Sequence, residues 1–206
     1  MQLQEAISRC PLIAILRDIR PHEALQIGHV LIEIGFTCLE VPLNSPEDPL
    51  ASIYHLSHAF KGKALIGAGT VLNRDAVLEV AKCGGRLIVM PHTDIATIHS
   101  AKKNGLYCIS GFSTPTEAFT AIDAGADALK LFPANGAALL KAMTAVLPKE
   151  IPIFPVGDID HTMMEDYIKA GATGFGLGSE LYQSGDSPGK VAKSARIFYD
   201  TFRQLS

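Results

Sequence analysis

Short apolar runs punctuate the chain at a steady interval. They are Leu12–Arg17 (LIAILR), Cys38–Leu43 (CLEVPL), Ala64–Val71 (ALIGAGTV), Arg86–Pro91 (RLIVMP), Tyr107–Phe112 (YCISGF), Ala128–Pro133 (ALKLFP), Ile153–Asp158 (IFPVGD) and Gly174–Ser179 (GFGLGS). Each has the length of a buried strand and is rich in Ile, Leu and Val. Their starting positions are 26, 26, 22, 21, 21, 25 and 21 residues apart. The stretches between them carry apolar residues at helical spacing, as in Pro21–Ile34, Asp75–Lys82, Thr116–Ala124 and Met163–Ala170.

Helix ends are marked as well. Thr114-Pro115-Thr116-Glu117 has capping-box spacing, with proline at the first helical position. Gly35, Gly84, Gly105, Gly125 and Gly171 stand just past five helical stretches, where a left-handed residue would stop each one. Eight strands alternating with eight helices, after a short leading helix near Gln2–Ser8, predict an α/β fold with a parallel sheet. Eight units of this period favour a closed (β/α)8 barrel, a TIM barrel, over an open sheet. An open dinucleotide-binding sheet would carry a glycine-rich loop after the first strand, and Leu16-Arg17-Asp18-Ile19-Arg20-Pro21 has none.

Composition narrows the picture. With 206 residues and eight repeating units, the expectation is one barrel domain spanning 1–206. The 18 Lys and Arg against 21 Asp and Glu leave a net charge of −3, so no basic field points to nucleic acid or an acidic membrane surface. No run approaches the roughly 18 apolar residues of a membrane helix. The start of the chain lacks the basic and apolar segments of a signal peptide. Cys10, Cys38, Cys83 and Cys108 are far apart, which reads as reduced thiols in a cytoplasmic protein.

Four polar residues break the apolar strands near their C-terminal ends, the face where barrel chemistry sits. Arg17 ends the first run, Glu40 lies inside LEVPL, Thr70 follows IGAG, and Lys130 lies inside ALKLFP. A buried charge needs a partner or a purpose. One reading is a structural Lys–Glu ion pair across the barrel. The other is a Schiff-base nucleophile: burial and a nearby Arg17 would lower the lysine's pKa and supply the neutral amine that attacks a ketone. Glu40 is then placed to shuttle protons, and an anion-binding arginine suits a keto acid.

The last two runs add a candidate anion site. Gly157-Asp158 and Gly178-Ser179 end strands seven and eight, where barrels often hold a phosphate on glycine N–H groups and a helix N-terminus. Asp158 conflicts with that role, since its carboxylate would repel a phosphate. The seven histidines form no metal-ligand pattern: His55 and His58 sit on a polar helix, and His92 is at most a rim residue. No metal and no organic cofactor are expected.

Taken together, IAILR, LEVPLNSP, LIGAGTVL, STPTEAFTAIDAGADALKLFPA and GLGSELY resemble the class I 2-keto-3-deoxy-6-phosphogluconate and 2-keto-3-deoxy-6-phosphogalactonate aldolases, from about Pro11 to Tyr182. The resemblance implies that Lys130 forms the Schiff base and Glu40 is the acid–base residue. Arg17 and Thr70 match contacts to a substrate anion, and Gly157, Gly178 and Ser179 match phosphate-binding loops. Pro91, Phe132, Val156 and Asp158 complete the expected substrate contacts. The resemblance also implies a metal-free homotrimer. EVPLNSP and Val156 look like the galactonate branch. The gluconate branch typically has an arginine near Asn44 and a threonine at 156, whose hydroxyl would bond a substrate hydroxyl and so sense stereochemistry at C4.

The chain departs from the family pattern at Asp158, Met90, His92 and Ser110, positions that bear on the phosphate and on aldehyde-side specificity. The expected reaction is cleavage of 2-dehydro-3-deoxy-6-phosphogalactonate to pyruvate and D-glyceraldehyde 3-phosphate, with a keto sugar acid and pyruvate as the small-molecule partners. The alternatives are the gluconate epimer, an unphosphorylated 2-keto-3-deoxy acid, a non-catalytic sugar-phosphate-binding barrel, or a phosphosugar isomerase or epimerase.

Overall fold

The computed structural model describes residues 1–205. A short helix α1 (Leu3–Arg9) leads into eight strand–helix units: β1 (Leu12–Ile15), α2 (Pro21–Ile34), β2 (Cys38–Pro42), α3 (Pro49–Ala59), β3 (Leu65–Gly69), α4 (Arg74–Lys82), β4 (Leu87–Val89), α5 (Ile95–Lys103), β5 (Tyr107–Phe112), α6 (Pro115–Asp123), β6 (Ala128–Leu131), α7 (Ala137–Thr144), β7 (Ile153–Pro155), α8 (Met164–Lys169), β8 (Phe175–Leu177) and α9 (Pro188–Leu205). All strand pairs are parallel, and the order runs β7-β6-β5-β4-β3-β2-β1-β8. A parallel bridge from Val156 to Gly176 joins the two outer strands and brings the sheet round into a barrel.

The local signals act as expected. Thr114 and Glu117 form the capping box of α6, with Pro115 at its start. The five glycines past helix ends are all left-handed, from φ 70° at Gly105 to 122° at Gly35. Asp48, Asn73 and Asp94 accept bonds from the first turns of α3, α4 and α5, satisfying N–H groups that a helix leaves open. A short 3₁₀ turn, His161–Met163, precedes α8 and takes the start of the helix expected from Met163.

Alternation along each strand divides the core in two. Leu12, Ala14 and Leu16, like Leu39 and Val41, pack outward beneath the helices. Ile13, Cys38, Leu65, Leu87, Val89, Ile109, Ala128 and Phe154 fill the barrel together with Leu3 and Ala6 of α1. Helix α1 therefore plugs the N-terminal mouth. The Thr37 hydroxyl donates to the Ala6 carbonyl at 2.9 Å, and the Tyr107 hydroxyl donates to Gln2 Oε1. Each buried aliphatic side chain contributes about 1.5–3 kcal/mol, so these two layers dominate stability.

All four cysteines are free, and burial pushes Cys10, Cys38 and Cys108 up to about 11, 12 and 12, so these thiols stay protonated. No helix among the described residues is long and apolar enough to cross a membrane.

Candidate active site

Where the strands end at the C-terminal mouth, a cavity of about 360 Å³ opens. The structure brings all eleven expected site residues to its wall: Arg17, Glu40, Thr70, Pro91, Lys130, Phe132, Val156, Gly157, Asp158, Gly178 and Ser179. Two other cavities, of about 510 and 590 Å³, are larger. Neither holds a buried lysine or carboxylate, so chemistry rather than size distinguishes the first.

Lys130 faces inward because it is two residues beyond Ala128 on β6, while Leu129 and Leu131 face the helices. It pairs with Gly111 on β5 and Phe154 on β7, and is 7% exposed. Burial lowers its pKa below the usual lysine value; the Glu40 charge opposes this and the Arg17 charge adds to it. Its Nζ lies 4.7 Å from the centre of the Phe132 ring.

Glu40 enters the barrel from β2, two residues beyond Cys38, and is 2% exposed. Burial pushes its carboxyl up to about 7, against the pull of Lys130 and then Arg17. Its Oε2 is buried without a hydrogen-bond partner. Among the described residues no contact ion pair joins Glu40 to Lys130, so the ion pair weighed from the sequence is not formed and the two groups act on each other only through their charges. Gly69 makes the room: a Cβ there would stand 1.9 Å from Glu40 Oε2. The glycine of GAGT is thus part of the carboxyl's seat, and nothing in the sequence pairs it with Glu40.

Arg17 lies just past β1, exposed, and donates from Nη1 to Asn44 Oδ1 at 3.1 Å. Ser45 Oγ accepts from the Asp18 N–H at 3.0 Å, and Ser184 Oγ donates to the Asp18 carbonyl at 2.9 Å. The loops after β2 and β8 thus pin the end of β1. Among the described residues, the non-glycine residues with positive φ are Asp18 (60°), Thr70 (52°) and Asp158 (47°). All three line this cavity. Such conformations cost energy and cluster where function sets the backbone.

Several expectations need correction. Met90 and Ser110, singled out for aldehyde-side specificity, are fully buried on the outer side of the strands and do not line the cavity. Met90 Sδ instead meets Cys108 Sγ at 3.6 Å, and Ser110 Oγ donates to the His92 carbonyl. Parity along the strand decides this, because Val89 and Gly111 take the inward places. His92 is exposed and also outside the cavity wall. No helix starts directly at the end of β8: a turn follows, with Leu181 and Tyr182 N–H donating to the Gly178 carbonyl, and α9 begins only at Pro188.

Sequence reasoning missed Ile15, Asp18, Tyr182, Gln183 and Ser184 as wall residues. Asp18 follows Arg17 directly, which was its only signal. Tyr182 is buried with its hydroxyl unpartnered, and burial, then the Glu23 charge, pushes it up to about 12. Among the described residues no group of His, Cys, Asp and Glu is arranged to hold a metal ion.

A lysine whose pKa is lowered by burial, facing a carboxyl raised to about 7, can add to a carbonyl and move protons. Fold and site together define an aldolase. The chain belongs to the KDPG and KHG aldolase family, whose model matches residues 3–193. It is 44% identical over 199 residues to the 2-dehydro-3-deoxy-6-phosphogalactonate aldolase of Escherichia coli (strain K12), covering 96% of this chain and 97% of that one. It is 46% identical over 187 residues to the probable 2-dehydro-3-deoxy-6-phosphogalactonate aldolase of Rhizobium meliloti (strain 1021), covering 90% and 88%. The solved structure of native KDPGal superposes with a TM-score of 0.93 at 44% identity, over 96% of both chains.

Proposed function

We propose that the chain cleaves 2-dehydro-3-deoxy-6-phosphogalactonate to pyruvate and D-glyceraldehyde 3-phosphate through a Schiff base on Lys130. The observation that carries this reading is the pairing of a buried, pKa-lowered Lys130 with a carboxyl near 7 in one cavity. Neutral Lys130 Nζ adds to the C2 ketone to form a carbinolamine. Glu40, directly or through one water, protonates the departing hydroxyl, and loss of water leaves the iminium. The same carboxylate then takes the C4 hydroxyl proton. The C3–C4 bonding pair moves into the iminium, which leaves the aldehyde and a pyruvate enamine. Protonation at C3 and hydrolysis return free lysine and pyruvate.

Arg17, held by Asn44, and Thr70 bind the substrate carboxylate and align the bond to be broken. Val156, 6% exposed on the cavity wall, offers an apolar face where a hydroxyl-bearing residue would bond the substrate's C4 region, which supports the galactonate epimer. Pro91 and Phe132 shape the wall near the amine, and Gly157, Gly178 and Ser179 receive the far end. In this reading residues 1–206 are one catalytic domain of a cytoplasmic homotrimer that needs no metal or cofactor.

Borohydride added with saturating pyruvate is expected to leave a covalent adduct on Lys130, located by mass spectrometry. An unmodified Lys130 under those conditions would sink the Schiff-base assignment.

A further inference from the structure

The far end of the cavity, where β7 and β8 stop, carries a charge pattern that lysine chemistry does not need. Barrels of this type can offer a phosphate the loops after the seventh and eighth strands, where glycine N–H groups converge. Gly157 and Gly178 supply that backbone. In the same wall stands Asp158, exposed and in no ion pair among the described residues. It also lines the neighbouring cavity of about 590 Å³, so it occupies the partition between two open spaces. Asp18 and Glu40 are the other acidic side chains on the wall. Apart from Lys130, Arg17 is the only lysine or arginine there among the described residues, and its Nη1 is engaged by Asn44.

Two features make Asp158 more than a surface charge. Its φ of 47° is one that glycine adopts without cost, so a side chain is kept there at some strain. A carboxylate is also an acceptor only. It can take a hydrogen bond from a hydroxyl, whereas a phosphate dianion has no proton to offer and is repelled. Glycine N–H donors and an aspartate acceptor side by side suit a neutral hydroxyl, which can use both.

We propose that Asp158 is a specificity-determining residue that cancels the advantage of a distal phosphate. This chain then takes 2-keto-3-deoxy sugar acids ending in a free hydroxyl about as well as those ending in a phosphate. The inference rests on the aldolase reading and extends it to the far end of the substrate.

The test is steady-state kinetics on 2-dehydro-3-deoxygalactonate with and without its 6-phosphate, using wild type, Asp158→Gly and Asp158→Asn. The expected wild-type kcat/KM ratio, phosphorylated over unphosphorylated, lies within about tenfold of unity. Asp158→Gly raises the ratio by about tenfold or more, mainly through a lower KM for the phosphorylated acid, and Asp158→Asn moves it the same way. Added salt lowers the wild-type KM for the phosphorylated acid, because screening weakens a repulsion, and this response fades in the glycine variant. Glycine accepts the left-handed backbone and asparagine keeps the side-chain shape, so both variants fold. A ratio that is unchanged or lower in both variants overturns the proposal. Failure of the aldolase reading shows separately, as absence of the pyruvate adduct on wild-type Lys130.

Discussion

The two mouths of this barrel are built from the same strands and do opposite work. At the N-terminal mouth, Leu3 and Ala6 of α1 close over Ile13, Cys38, Leu65, Leu87 and Ala128, an apolar layer held by packing. Two residues further along β2 and β6, the inward places belong to Glu40 and Lys130. There the backbone is left-handed at three non-glycine positions, and a carboxyl oxygen is buried without a partner. The lower layer stabilises the fold, and the upper layer holds desolvated charges that cost stability and make them reactive. Separation by one strand repeat, about 7 Å, is enough to hold both in one domain-sized barrel.

The sharpest way to break the comparison is at Lys130. Lys130→Met is expected to abolish pyruvate trapping and to lower turnover by about 10³-fold or more, measured as pyruvate release. The same variant should be more stable than wild type near pH 7. A lysine whose folded pKa is lowered contributes stability above its unfolded value of 10.5, lost as pH falls toward the folded value. The gain, roughly 1–3 kcal/mol by denaturant unfolding, therefore shrinks as pH rises toward 10.5.

Glu40→Gln comes next. Turnover should fall by about 10²–10⁴-fold, while pyruvate capture under borohydride weakens far less. Equal losses in both would remove Glu40 from the proton-transfer role. Because burial raises its pKa from 4.5 to about 7, wild-type Glu40 contributes stability fully below pH 4.5 that is lost as pH rises through 7. The glutamine variant lacks that loss, so its stability relative to wild type should climb by roughly 2–3 kcal/mol between those limits.

At the other mouth the pattern inverts. Leu87→Ala, at a fully buried inner position, is expected to cost about 2–5 kcal/mol by denaturant unfolding and to leave Lys130 trapping intact in the folded fraction. The smallest effect is expected for Asn44→Ala. Freeing Arg17 should raise the KM for the keto acid by about three- to tenfold, with little change in kcat or in stability. A fall in kcat alone would mean that Asn44 does something other than position the guanidinium.

Much of the site was legible in the chain because the polar residues interrupt strands that are otherwise apolar on both faces. Lys130 in ALKLFP and Glu40 in LEVPL stand out for that reason. The same two-sided burial hides which residues point inward, since a strand covered on both faces shows no alternation. That is why Met90 and Ser110 were expected to bear on specificity and proved to pack under the helices. Asp18 and residues 182–184 went unseen for another reason: they reach the cavity through loop geometry, not strand pattern.

What the sequence determined by itself was the repeat: eight apolar runs, their helix caps and glycine stops, and the few charges that have no place in a strand core. These are local preferences, settled by residue type and spacing. Tertiary structure decided the rest. Closure of the sheet set strand parity, so that Glu40 and Lys130 share one space while Met90 and Ser110 leave it. Burial in that space moved the carboxyl to about 7 and lowered the lysine, because the penalty on a charge depends on what surrounds it. The seat that Gly69 provides for Glu40, and the hold of Asn44 on Arg17, join residues 29 and 27 positions apart in the chain. Contacts of that range have no local signature, and only the closed barrel brings them within reach.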